Sequence, residues 1–162
     1  MKRLVMILSL VFILTAFKSP KNLTKTIARE KTPKTIALIH HKYLYFIKVK
    51  LNNRDANFLI DTGAASSLLD INQAIDYKFK INRTGHKFAG AGGLSDQYRV
   101  TNYVFHHNTD QLMVYPLGAD LKFVVESFDE DGITVTGVIG SDFLKQHDAI
   151  IDYKNLQLII HN

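Results

Sequence analysis

The chain is 162 residues long, enough for one ordinary domain with extra segments and too short for two domains that each bury a full core. Its apolar fraction of 46% is that of a globular protein, and the lack of cysteine excludes disulfides, a thiol nucleophile and thiolate metal sites. The net charge of +5 is unevenly placed: residues 1–34 carry eight Lys/Arg and one acid, whereas residues 35–162 carry twelve Lys/Arg and fourteen acids, so no nucleic-acid surface is expected on the folded body.

Lys2 and Arg3 precede a mostly apolar run over residues 4–17. That run has the length of a secretory signal core, whereas a free-standing membrane helix needs about 20 residues. An A-x-A cleavage pattern is missing, because Leu14 stands two residues before Ala16. Residues 1–17 are therefore expected to be a signal peptide or an N-terminal membrane anchor. Either role places the body outside the cytoplasmic membrane, secreted or tethered, in a periplasmic or extracytoplasmic location. Residues 18–34 are polar and basic with Pro20 and Pro33, and read as a linker in reach of an anionic membrane surface.

Residues 35–162 form the expected domain, which reads as all-β. Residues 43–51 alternate as a half-buried strand, Asn52-Asn53-Arg54-Asp55 is a turn cluster, and residues 56–60 are a second strand. Further strands are expected at 79–82, 87–89, 97–105, 111–115 and 134–139, a short helix at 141–146, and a last hairpin over 149–160. There is no internal repeat.

The second strand runs into Asp61-Thr62-Gly63-Ala64. A strand that ends in an acid sets that carboxylate at the edge of the core, partly desolvated. Gly63 lets the backbone approach it and offer an N–H, and the Thr62 hydroxyl can tie the loop. An acid in a strand-to-turn junction is common, so the tripeptide alone is weak. Ser66 and Ser67 lie outside a G-x-S-x-G nucleophile pattern and lead the chain back inward, with Leu68 and Leu69 packing.

Two later blocks change its weight: Gly90-Ala91-Gly92-Gly93, and Gly137-Val138-Ile139-Gly140-Ser141-Asp142-Phe143-Leu144 followed by Ala149-Ile150-Ile151-Asp152-Tyr153. In this order the three blocks resemble the active-site loop, the glycine-rich flap tip and the closing strand, helix and hairpin of the retropepsin-like, retroviral-type aspartic proteases, bacterial members included. The resemblance spans roughly residues 43–160. It implies a closed, small barrel-like β domain with one short C-terminal helix that works as a homodimer. It makes Asp61 catalytic, Thr62, Gly63 and Ala64 its loop support, Gly90, Ala91, Gly92 and Gly93 the flap, and Val138, Ile139 and Gly140 a supporting strand. It implies no cofactor and no metal, and a peptide or protein substrate.

The family chemistry uses two adjacent aspartates that share a proton, one acting as base towards water and the other polarising the scissile carbonyl. This chain has one D-T-G, and Asp142 and Asp152 lack the Thr/Ser-Gly that would follow a second one. Two copies related by a two-fold axis supply the missing carboxylate. Ala64 stands where pepsin-like relatives carry a hydroxyl, so a weakly acidic to near-neutral optimum is expected. The rival reading is a dimeric peptide-binding module on the same fold with little turnover.

Three other features carry less. His40-His41 and His106-His107 are adjacent pairs that strands would split between faces, Asp129-Glu130-Asp131-Gly132 lacks calcium-loop spacing, and the glycine block is not followed by the Lys-Ser/Thr of a phosphate loop.

Overall fold

A computed structural model describes residues 32–90, 93–129 and 132–161. Residues 1–31, which include the expected signal or anchor and nearly all of the linker, lie outside the described residues, as do Ala91, Gly92, Glu130 and Asp131. Among the described residues no helix is long and apolar enough to cross a membrane.

Two hairpins open the domain. β1 (Lys34–His41) pairs antiparallel with β2 (Leu44–Leu51), and β2 with β3 (Arg54–Ile60). The β2–β3 loop is the two residues Asn52 and Asn53, with φ of 48° and 66°. Two left-handed residues in succession match the twist of a hairpin, and asparagine tolerates them. Asn52 also donates through Nδ2 to the carbonyls of Tyr77 and Asn102 at 2.8 and 2.9 Å, and its Oδ1 accepts from Val104 N–H at 2.8 Å. One turn residue thus fixes two later segments, the end of the 74–77 turn and residues 102–104, to the first hairpin.

After the Asp61 loop come β4 (Leu68–Asp70), a 3-10 turn (Ile71–Gln73) and a single helical turn, α1 (Ala74–Tyr77). The long hairpin of β5 (Lys80–Gly90) and β6 (Gly93–Thr101) follows, then β7 (Phe105–His107), β8 (Asp110–Leu112) and β9 (Leu117–Ala119). α2 (Lys122–Asp129), β10 (Val135–Ile139), α3 (Ser141–Gln146), β11 (Ile150–Asp152) and β12 (Gln157–Ile160) complete the domain.

β10 decides the topology. It lies between β3, to which it is parallel (Ile139↔Ile60), and β4, to which it is antiparallel (Val138↔Leu68). All five of its residues are buried, as befits a strand with neighbours on both edges. Gly137 is required there: a Cβ would stand 2.2 Å from the Leu68 carbonyl oxygen and 2.7 Å from the Phe58 ring. The main core gathers Ile36, Ile47, Leu51, Phe58, Leu69, Phe105, Phe143, Leu158 and Ile160 among others.

The all-β expectation holds, with two corrections. The sheet is not a closed barrel: ten strands run in one path, β11-β12-β1-β2-β3-β10-β4-β9-β6-β5, with β7 and β8 branching off β2, and among the described residues β5 and β11 do not meet. The reason is local. β6 joins the sheet only through Tyr98 and Arg99 on β9, and β7 takes the Lys50–Leu51 part of β2, so the sheet branches before it can close. The second correction is α2, which adds to the single helix expected at 141–146. Its Val124, Val125 and Phe128 pack inward, but Phe123 is exposed and the run is short, so its helical period was hidden. β5 is one continuous strand where two were expected, and β1 and β9 were not anticipated.

Candidate active site

β3 carries the chain through partly buried Leu59 and Ile60 into Asp61, whose N–H donates to the Ile139 carbonyl at 3.0 Å. The parallel ladder with β10 therefore extends one bond into the loop. The loop then folds back on its own acid: Gly63 N–H donates to Asp61 Oδ1 at 2.8 Å, and Ala64 N–H to the Asp61 carbonyl at 3.1 Å. A Cβ on residue 63 would stand 3.1 Å from Asp61 Oδ1, so a side chain there would crowd the carboxylate. Thr62 is held through its carbonyl, which accepts from Ser141 Oγ at 2.7 Å.

The start of α3 grips the other side of the loop. Ser141 N–H donates to the Ala64 carbonyl at 2.8 Å. Gly140 passes so close that a Cβ would lie 2.6–2.9 Å from backbone atoms of Ser66 and Ala64. Behind it, buried Ser67 donates through both N–H and Oγ to Asp142 Oδ1 at 2.8 Å, and its Oγ accepts from Gly140 N–H at 3.0 Å. Asp142 Oδ1 also accepts from Phe143 N–H at 2.8 Å. Asp142 is thus a carboxylate spent on bracing, with donors converging on one oxygen. The sequence reading did not single out Ser67, Ser141 or Asp142 for this role. Ser141-Asp142 ahead of an apolar run is a helix-start signal, but nothing in the chain links it to Ser67, more than seventy residues earlier.

Asp61, Thr62 and Gly63 are exposed, and Ala64 is half-buried. The expected partial desolvation of Asp61 by the core is therefore absent in the single chain: Ile60 ends the buried stretch, and the carboxylate opens into a pocket of about 360 Å³. That pocket is lined by Tyr43, Leu44 and Tyr45 from the first hairpin, Ile60, Asp61 and Thr62, and Ile151 and Tyr153 from the last. Asp61 is its one carboxylate. Tyr45 stacks on His40 at 4.7 Å and meets Tyr153 at 4.8 Å between ring centroids. This aromatic wall was not foreseen, because Tyr45 and Tyr153 are more than a hundred residues apart.

The other acid considered as a catalytic partner, Asp152, is the last residue of β11, just before the turn into β12. The Asn155 side-chain amide and backbone N–H, at 2.7 and 2.9 Å, hold its carboxyl below the usual range. Of the glycine block, Gly90 and Gly93 form the last pair of the β5–β6 hairpin, with Gly93 at φ 102°; Ala91 and Gly92 lie outside the described residues. Val138, Ile139 and Gly140 lie directly beside the Asp61 loop, as given above.

The family profile described as retroviral aspartyl protease matches residues 41–152. No curated protein matches. Among solved structures, the retroviral protease-like domain of Ddi1 from Leishmania major is 17% identical, covering 75% of this chain and 91% of that one, with a TM-score of 0.55. A retropepsin-like aspartic protease from Rickettsia conorii is 17% identical over 80% of this chain and 90% of that one, with a TM-score of 0.48. The EIAV protease in complex with the inhibitor HBY-793 is 19% identical over 67% and 93%, also at 0.48.

Proposed function

The chain belongs to the retroviral aspartyl protease family, and we propose that it is an aspartic endopeptidase that hydrolyses peptide bonds as a homodimer, with Asp61 of each copy forming the catalytic pair. One observation carries the reading. The pocket at the end of β3 holds a single exposed carboxylate, fixed by the Gly63 N–H and ringed by partly exposed apolar side chains. Such a site is half of a two-carboxylate centre.

Hydrolysis at neutral or weakly acidic pH needs a base for water and an acid for the carbonyl oxygen. Two like carboxylates brought together resist double ionisation, so one keeps its proton and the pair contains both groups. The Gly63 N–H bond fixes the Asp61 carboxylate within its loop. A second copy would also supply the desolvation that the single chain lacks. The pocket face suits such a partner: Tyr43 is 95% exposed, Leu44 and Tyr153 are also exposed, and among the described residues β11 has no strand on its outer edge. In this reading the glycine-ended β5–β6 hairpin covers an extended peptide and offers it backbone hydrogen bonds. Residues 1–17 send the domain across the cytoplasmic membrane, where residues 18–34 tether or release it; fractionation of cells expressing the full chain tests this part.

The test is cleavage of a peptide library by wild type and Asp61→Asn. The variant is expected to lose about 10²–10⁴-fold in rate. Activity per protomer is expected to fall on dilution through the dimer dissociation constant. Equal cleavage by the variant, or dilution-independent activity, removes the catalytic or the dimer assignment respectively. Peptide binding by wild type without turnover would select the binding-module alternative.

A further inference from the structure

Leu59 and Ile60 leave β3 on opposite faces, as neighbours in a strand must. Ile60 lines the pocket with Tyr43, Tyr45 and Tyr153. Leu59 packs on a different cluster, around buried Ala119, Leu121 and Val138. The acid loop therefore stands between two apolar surfaces. Ala64 of the loop and Leu68 of β4 are half-buried on the second surface, as is Phe88 of the β5–β6 hairpin. The pocket side carries the exposed Tyr43 and Tyr153 that suit a second copy. A peptide held between the hairpin and the acid loop runs past the other side, because both of those elements rest there.

α2 completes that side. Leu121, just before the helix, and Phe128 within it are buried, and Val124 and Val125 stand half-buried between them. Both valines pack on the cluster that holds Ala64. The helix is fixed at each end. At its start Asp70 Oδ1 accepts from Leu121 N–H at 3.3 Å and Asp120 Oδ1 from Lys122 N–H at 3.0 Å, while Asn72 Nδ2 donates to the two carboxylates at 3.0 and 2.9 Å. Asp70 is buried and ends β4, so the helix is tied to the strand that follows the acid loop. At its far end the Phe128 ring meets Phe46 edge-on at 5.2 Å, and the Phe128 carbonyl accepts from Ile133 N–H at 3.3 Å. A helix held in this way presents its half-exposed side chains as a rigid wall.

We propose that Val124 and Val125 of α2 determine specificity in the proteolysis inferred above, on which this proposal rests. They form one wall of an apolar subsite beside the acid loop, with Ala64 and Leu68 next to them. The side chains that surround it are apolar, so it takes an aliphatic side chain of the peptide and rejects a charged one, whose desolvation nothing there would offset. Ala64 is three residues from Asp61, so the subsite serves a residue flanking the scissile bond. Branched at Cβ, the two valines are stiff and give little ground, which favours Val or Leu over Phe in that position.

The experiment measures kcat/KM of the full-length protein on a peptide series in which the residues flanking the scissile bond are varied among Val, Leu, Phe and Glu. Wild type is expected to prefer Val and Leu. Val124→Ala and Val125→Ala each remove two methyl groups, and in at least one of them the Phe-to-Val ratio of kcat/KM is expected to rise about tenfold. Val124→Ile and Val125→Ile each add a methylene, and the corresponding one is expected to move that ratio the other way; these two variants carry the test if the alanine variants do not fold. Phe123→Ala, on the exposed face of the same helix, is expected to leave the ratio unchanged. A loss of stability alone lowers all rates together, so opposite shifts separate specificity from folding. A ratio within about twofold of wild type in every folded valine variant, or a wild-type preference for Glu, overturns the proposal. The same peptides are also titrated by fluorescence anisotropy against Asp61→Asn with and without each valine substitution, where the shifts are expected to persist. A wild type that cleaves nothing while these binding shifts persist would sink the protease reading and uphold the subsite.

Discussion

Ser67→Ala isolates the brace behind the Asp61 loop. The hydroxyl is buried and does two jobs: it donates to Asp142 Oδ1 at 2.8 Å and accepts from the buried Gly140 N–H at 3.0 Å. Alanine keeps the Ser67 N–H bond to Asp142 and removes both others. Stranding the Gly140 N–H costs roughly 1–3 kcal/mol. The lost bond to a carboxylate would cost a similar amount, but Asp142 is half-exposed and keeps two other donors, which leaves about 1 kcal/mol. The expected total is about 3 kcal/mol, or roughly 10 °C in Tm for a domain of this size. Thermal and urea denaturation measure it. A cycle with Asp142→Ala is expected to show coupling of about 1–2 kcal/mol, since both changes break the same bond. A Tm within about 2 °C of wild type, or strict additivity in the cycle, would refute the brace.

Three further outcomes follow from the same geometry. Gly140→Ala pushes a Cβ into the Ser66 and Ala64 backbone, so kcat/KM is expected to drop by about 10²-fold or more while the fold persists; Gly137→Ala, at 2.2 Å from the Leu68 carbonyl, is expected to unfold the domain, as circular dichroism would report. The wild-type pH–rate profile is expected to peak at weakly acidic to near-neutral pH; a wild-type peak below about pH 3 contradicts this. The Asp152 carboxyl, held low by Asn155, adds stability that is present above about pH 4 and lost as the pH falls through its folded value. The Tm difference between wild type and Asn155→Ala should therefore be open at pH 6 and close in strong acid; a pH-independent gap would argue against it.

Local features were legible in the chain because they depend on neighbours in sequence. The alternation from Tyr43 to Leu51 marked β2, the Asn52-Asn53 pair marked its turn, and residues 141–146 marked α3 to the residue. Other elements were hidden. β9 is three residues with a glycine at its centre, and the first half of β1 pairs with β12, more than a hundred residues away, while only its second half pairs with neighbouring β2. Closure of the sheet was expected from resemblance, and the split edge of β2 and the short β6–β9 pairing prevent it.

The sequence by itself placed Asp61-Thr62-Gly63 at the end of a strand and showed one such tripeptide in the chain. Asp61-Thr62-Gly63 writes a self-bonding loop into three consecutive residues, and one such tripeptide implies a partner copy for two-carboxylate chemistry. The tertiary structure decided what surrounds that loop. Inserting β10 between β3 and β4 brings Gly140, Ser141 and Asp142 against residues 61–67, and only close packing of backbone on backbone requires glycine at 137 and 140. It also left Asp61 exposed beside Tyr43, Tyr45 and Tyr153. Exposure and distant contacts depend on how the whole chain packs, and no local pattern encodes them.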